Sequence, residues 1–343
     1  MKVSRVFYAG LLILAGSGAA SGKSSDCQRP IASVSILDGR GLPVTGLQLG
    51  DLRVEVGGKP ATIVSAIEDH SPRRIVVLLE ASRAVRGTGN GEWKLALQLA
   101  IDAFAKAPQE TQMALVIFSK KVDRVVDFDS GRSAALALLG ELRAGSQSLE
   151  AEGHGVHFLD SILEGLKLFR GRRFGDAIYG IISGYDSGSK ASVHDVEVAV
   201  SEAQVRVFLS GLFPSATPQS GVDIYREALP ASVAPPPGKG PLPVPSWVQA
   251  SGGNLPTIHS VVRGLSETYE FDEEQKKNLA TSLSILYREM LETYRLNLEL
   301  SSPLKKPEEW KPHLAESVSR QHRDWQILFT STLVSCKSDS GPN

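Results

Sequence analysis

Cysteine is scarce in this chain: two among 343 residues, Cys27 and Cys336, at opposite ends. Two thiols can build neither a disulfide-stapled miniprotein nor a four-cysteine zinc module. A surplus of either charge is missing too, since 37 Lys+Arg face 38 Asp+Glu and leave a net charge of -1. Generic nucleic-acid binding needs a clustered positive field, so no nucleic-acid partner is expected. Beyond the amino terminus no run reaches the ~18 uninterrupted apolar residues of a membrane span. Common catalytic signatures are absent as well: there is no Gly-x-Ser-x-Gly elbow, no His-Glu-x-x-His and no Cys-x-x-Cys. The chain is therefore read as non-enzymatic. What it does have is 42% hydrophobic and 22% charged residues, a globular composition, and a length of about two domains.

The amino terminus carries three-part export grammar. Lys2 and Arg5 supply positive charge, Val6 to Ala15 is apolar, and the small residues Gly16 to Gly22 follow. This pattern predicts a signal peptide over 1–20, cut after Ala20 or Gly22, and a secreted or periplasmic mature chain with no membrane span. The alternative reading is a retained anchor. Gly22-Lys23-Ser24 imitates the end of a phosphate-binding loop, but Ser17 stands where its first glycine would be.

From Ile31 to Glu68 short strands and tight turns are expected. Leu52, Val54 and Val56 alternate with Asp51, Arg53 and Glu55, and Gly57-Gly58 turns the chain. The centre alternates strand and helix. Ile75–Leu79, Met113–Phe118, Ala177–Ile182 and Val205–Leu209 are strands, with Val122–Phe128 as a hairpin partner; Trp93–Phe104, Ala134–Leu142, Leu159–Phe169 and His194–Gln204 are helical. Such alternation implies an α/β, doubly wound and mostly parallel sheet whose ligands bind beyond the carboxyl ends of the strands. Seven prolines between Pro230 and Pro245 rule out helix and internal strand there. Trp247–Ala250 restarts a helix, Glu273–Tyr294 is a long helix with Leu283, Leu286 and Met290 on one side, and Leu296 to Leu300 and a segment between Trp325 and Val334 are strands. The acidic run Glu267, Glu270, Asp272, Glu273, Glu274 suits a helix start, where carboxylates meet the positive end of the helix dipole. Segments are expected at 1–20, 27–70 (β-rich), 72–265 with a Pro-rich insertion at 230–246, and 268–343 (helix plus strands).

Three landmarks carry a family resemblance. Asp38 to Leu47 followed by Asp51-Leu52-Arg53-Val54 is similar to a leader repeat, Arg73 to Ser82 resembles a first strand and metal loop, and Leu159-Asp160-Ser161-Ile162 with Tyr294-Arg295-Leu296 resembles a later helix start and tail. Together they resemble the von Willebrand factor type A-related proteins of bacteria. The resemblance implies an A-type core with a small accessory β-layer made by the terminal segments, and a protein-binding or adhesion role. It also implies a divalent ion held by Asp-x-Ser-x-Ser, Thr and Asp. Those positions fall here on Glu80, Ser82, Ala84, Val156 and Ser183, of which only Ser82 is unchanged. Val and Ala offer no oxygen to a hard cation, Glu is one methylene longer than Asp, and Arg83 brings a positive charge. No metal or other cofactor is therefore expected. His154 and His157 supply two imidazoles without a third ligand fixed by spacing. The expected site is a metal-free crevice of Glu80, Ser82, Arg83, His157, Ser183, Tyr185 and Asp186, with Arg83 pairing Glu80, that meets an unidentified protein partner. A structural or assembly role in the cell envelope is the alternative. Export places the thiols in an oxidising compartment, and if front and tail strands share a layer as the resemblance implies, Cys27 and Cys336 close one disulfide.

Overall fold

The computed structural model describes residues 28–86, 91–147, 149, 155–212, 222–223, 246–253 and 273–333. The expected signal peptide, Cys27, Cys336, His154 and all but the last residue of the Pro-rich stretch lie outside the described residues.

Ile75 to Leu79 has no polar residue to turn toward water, and it lies in the central strand of five. Every residue of β4 (Arg74–Glu80) is buried. Its neighbours are β5 (Gln112–Phe118), β6 (Val122–Val126), β7 (Ala177–Ile182) and β9 (Arg206–Gly211), in the order β6-β5-β4-β7-β9. The β4–β5, β4–β7 and β7–β9 pairs are parallel and β5–β6 is antiparallel. Alternate β4 residues feed two separate cores. Ile75, Val77 and Leu79 pack with α2 (Gly91–Lys106), α3 (Gly131–Ala144) and α7 (Glu273–Leu291); Val76 and Leu78 pack with α4 (Phe158–Lys167) and α5 (Val193–Ala203). Cover on both faces explains why the strand is apolar throughout rather than alternating.

The expectation of one doubly wound, mostly parallel sheet with a small accessory layer is overturned by a second, larger sheet. It has seven strands in the order β13-β1-β11-β3-β2-β12-β14 and is antiparallel at every pairing. Its strands are β1 (Ile31–Leu37), β2 (Leu52–Val56), β3 (Lys59–Asp69), β11 (Thr293–Glu299), β12 (Glu308–Leu314), β13 (Gln326–Phe329) and β14 (Thr332–Leu333). Two features enlarged it beyond expectation. Residues 308–314 contain Pro312, which argues against a strand in sequence, yet β14 reaches only Glu308 and Glu309, so one edge is open where the missing N–H falls. The expected last strand also divides at Thr330-Ser331, and its two halves occupy opposite ends of the strand order. The sheet therefore curls round on itself. Trp310 sits at the closure: its amide donates to Ser331 O at 3.1 Å, its indole N–H donates to Thr330 O, and its ring meets Phe329 edge-on at 5.4 Å.

Helix α7 joins the two sheets. It ends at Leu291, three residues before the expected stop, because Thr293 and Tyr294 already belong to β11. Leu283, Leu286, Tyr287 and Met290 enter the core shared with α2, and the Tyr287 hydroxyl donates to Ala103 O. Residues Ser251–Gly253, after α6 (Ser246–Ala250), close the outer edge of β9. Ser251 Oγ accepts the Val207 amide at 2.9 Å, and Ser251 bridges to Thr330 of the curled sheet.

Candidate functional site

The carboxyl ends of β4 and β7 lie side by side, with Leu79 in register with Ile181. One residue beyond the register, Glu80 ends β4 with no exposure at all. Its Oε1 accepts the Ser82 hydroxyl at 2.5 Å and the Ser183 hydroxyl at 2.8 Å, and its Oε2 accepts the Ser183 amide at 2.6 Å. Burial pushes the Glu80 carboxyl up to about 6; these hydrogen bonds oppose the shift, and the charge of Asp186 adds to it. The serines thus tie the connection that follows β4 to the end of β7 through one carboxyl group.

Asp186 lies in β8 (Tyr185–Asp186), which pairs with β10 (Val222–Asp223). It is buried and faces the first turn of α4. Its Oδ2 accepts the Leu159 amide at 3.0 Å and the Ser189 hydroxyl at 2.5 Å, and its Oδ1 accepts the Gly188 and Ser189 amides at 3.2 and 3.0 Å. His157, the residue at the N-cap position, makes no side-chain cap; Asp186 supplies that role from across the crevice. The loop continues on the same logic, with Asp160 accepting the Lys190 and Ala191 amides. Val156 and Ser187 exchange two bonds, Val156 N to Ser187 Oγ and Ser187 N to Val156 O, each at 2.9 Å.

The imidazole of His157 is partly exposed, with Nδ1 3.7 Å from Asp160 Oδ2. Its Nε2 lies over Gly188, 2.5 Å from where an added Cβ would fall, so a larger residue there would push the imidazole aside. Arg83 opens the short helix α1 (Arg83–Arg86) and is exposed, and Tyr185 is half-buried. The structure thus gathers Glu80, Ser82, Ser183 and Asp186 into one buried polar knot. Arg83, His157 and Tyr185 are the more exposed members around it. The donors that reach Glu80 among the described residues are the two serines. Ala84 lies within α1 and Val156 is buried. Sequence reasoning did not assign roles to Asp160, Ser187, Gly188 and Ser189; the run of small polar residues after Asp186 was the only local signal.

The donor set does not suit the divalent ion implied by the resemblance. A carboxylate has about four lone-pair sites, and three are taken on Glu80 by bonds from within the chain. Val156 offers no side-chain oxygen, and no three His, Cys, Asp or Glu side chains converge among the described residues.

No family model matches the chain, and no curated protein matches it. Solved structures similar to it include the conserved hypothetical protein BatB from Bacteroides thetaiotaomicron, at 14% identity and a TM-score of 0.36, covering 63% of this chain and 98% of that one. An aerotolerance-related membrane protein from Bacteroides fragilis is similar at 12% identity and a TM-score of 0.33, covering 62% and 99%. The human COPII-coat protein Sec24c matches at 11% identity and 0.38, covering 78% of this chain and 44% of its own. Likenesses this low carry no functional argument. Among the described residues no helix is long and apolar enough to cross a membrane.

Proposed function

We propose that the chain is an exported, non-enzymatic protein-interaction module whose partner meets Arg83, His157 and Tyr185 at the carboxyl ends of the five-stranded sheet, without a divalent cation. One observation carries this reading: the buried carboxyl of Glu80, at the first of the implied ligand positions, is already held by Ser82 and Ser183. Both hydroxyls donate to that carboxyl, which commits them to holding the loops together. What stays accessible is a cation, an imidazole and a phenol on a firmly tied base, a combination that suits recognition of another protein.

A photo-crosslinking residue placed at Tyr185, with a second at exposed Val64 on the curled sheet as control, tests this in an envelope extract. The expected result is a partner captured from position 185 alone and lost when Arg83→Glu is added. The same products from both positions, or no effect of the charge reversal, would overturn it. Inductively coupled plasma measurement addresses the ion, and one divalent metal per chain would remove the metal-free part of the reading.

A further inference from the structure

We propose that the turn between α4 and β7, Arg170 to Phe174, is a docking site for an anionic lipid surface, its arginines meeting headgroup phosphates and the Phe174 ring entering the interface. This goes beyond the strand-end reading, and failure of that reading leaves it untouched.

The turn reads Arg170-Gly171-Arg172-Arg173-Phe174, and every one of these residues is exposed. Its backbone is nonetheless fixed from beneath. Buried Arg74 donates Nη1 to Arg170 O at 3.1 Å and Nη2 to Gly171 O at 2.7 Å, and buried Arg73 donates Nη1 to Phe174 O at 2.9 Å. The Asp176 amide donates to Arg173 O at 3.3 Å. Gly171 and Gly175, at φ +76° and +81°, make the bends at which a side chain would be strained. With its carbonyls held on the inside, the turn leaves three guanidiniums and a phenyl ring on the outside. A backbone already set in place loses little freedom on docking.

The neighbouring acids do not neutralise this surface. Asp176, buried beneath the turn, is bound by Arg74. Glu164 pairs with Lys167 at 2.6 Å, and Asp129 stands 3.7 Å from Arg170 with both side chains largely exposed, an arrangement that holds little energy in water. Among the described residues neither Arg172 nor Arg173 has a carboxylate within ion-pair distance; Arg173 reaches the Gln112 side-chain oxygen at 3.4 Å. Guanidinium forks match phosphate oxygens in shape as well as charge. Phe174 is 36% exposed, and an aromatic ring beside cations is what an interfacial segment presents to lipid. A single exposed turn meets a flat surface all at once, whereas a nucleic acid asks for cations spread along a stripe or a helix. The turn lies at the amino end of β7 and Ser183 follows its carboxyl end, about 20 Å away for a strand of this length. Docking by the turn therefore leaves the strand-end residues facing away from the lipid.

Co-sedimentation of the full chain with vesicles of equal parts phosphatidylglycerol and phosphatidylcholine, and with vesicles of phosphatidylcholine alone, tests this. Any hold by the apolar stretch Val6 to Ala15 is common to both vesicles and to every variant. The expected result is binding to the anionic vesicles that weakens with salt and falls about 25-fold in the double variant Arg172→Gln, Arg173→Gln, at roughly fivefold for each arginine near a charged surface. Phe174→Ser should lower binding several-fold with the salt dependence kept. The control is Lys305→Gln with Lys306→Gln, between β11 and β12, which should bind as wild type. All of these side chains are exposed, so none of the changes opens a core. Equal binding to both vesicles, an equal loss in the lysine control, or unchanged binding in the double arginine variant would overturn the proposal. So would a Phe174→Ser chain that binds as wild type, since the turn would then be a general polyanion contact. Duplex DNA bound through the same arginines while the vesicles are ignored would assign the turn to nucleic acid instead.

Discussion

A carboxylate removed from water keeps its charge only where donors replace the lost hydration, and Glu80 receives three without a cation among them. Its folded midpoint of about 6 lies above the unperturbed 4.5, so the native chain binds this proton more tightly than the unfolded chain does. The sign follows directly. The stability associated with the proton is fully present below pH 4.5 and is lost as pH rises through about 6. The difference of 1.5 units (6 minus 4.5) corresponds to about 2 kcal/mol. In urea titrations, Glu80→Gln should therefore gain about 2 kcal/mol relative to wild type between about pH 3.5 and 7.5. Asp38, Glu68 and Asp195 are held below the usual carboxylate range and titrate in the opposite sense, but they are common to both proteins and cancel. A parallel pair of pH curves would remove the assignment of this proton to Glu80. Gly253 is limiting for a different reason. A Cβ there would fall 1.7 Å from the carbonyl oxygen of Val207, a backbone atom on the edge strand it covers. Gly253→Ala is expected to cost about 3 kcal/mol or more, measured by denaturant midpoint, because neither backbone can yield alone.

At the scale of elements, the start of α4 depends on another part of the chain. Asp186 caps it from 27 residues away in sequence and holds the following loop with the same carboxylate. Asp186→Asn should cost about 1–2 kcal/mol, since the amide keeps one acceptor and loses the other. It should also lower the Glu80 midpoint, because the neighbouring charge is gone. Ser192→Ala, which removes a capping box at α5, is the control: about 1 kcal/mol by urea titration with the pH dependence of stability unmoved. Periodicity made much of this level legible. The buried strands β4, β5 and β7 read as apolar runs, and α2, α3 and α4 as three-to-four-residue repeats, because each of these patterns is a local consequence of which faces are covered. Strand β12 was not legible. Its proline opposes a strand locally, and the open edge that tolerates it exists only after β2 and β14 have paired. The same holds at the site. Glu80 and Ser183 could be placed by their position at strand ends, whereas the bonds from Asp160 to Lys190 and Ala191 arise only when two loops meet.

Across the whole molecule the question is what makes two sheets one folding unit. The parallel sheet has its own cores on both faces, and the curled sheet has a third core of its own around Trp310, Leu296 and Val54. Between them lies buried Arg73, at the passage from β3 to β4. Its Nη1 donates to Asp69 Oδ2 at 3.0 Å and to Phe174 O at 2.9 Å; its Nη2 donates to Asp69 O at 2.7 Å, Thr293 Oγ1 at 2.8 Å and Leu291 O at 3.3 Å. One guanidinium thereby joins β3, the turn before β7, the end of α7 and the start of β11. Gly175 admits it: an added Cβ there would fall 2.5 Å from the guanidinium carbon, and the glycine has φ +81°. Removing one member of a buried pair leaves the other charge without its partner, so Arg73→Met should cost about 3–5 kcal/mol. Asp69→Leu added to it should recover part of that loss, because the stranded carboxylate disappears with the cation. Hydrogen exchange would show how the loss is distributed. In the wild type, amides of β1 and β11 should open with the same free energy as those of β4 and β5, as one cooperative unit. In Arg73→Met the curled sheet should exchange first while β4 keeps its protection, since its two flanking cores are untouched. Equal loss in both sheets would mean that the other contacts couple them, α7 through Leu283, Leu286 and Met290 in the core it shares with α2 and Ser251 through its bridge to Thr330. The two outcomes separate a polar latch from an apolar one, because the arginine contacts only the ends of the strands and the helix fills the space between them.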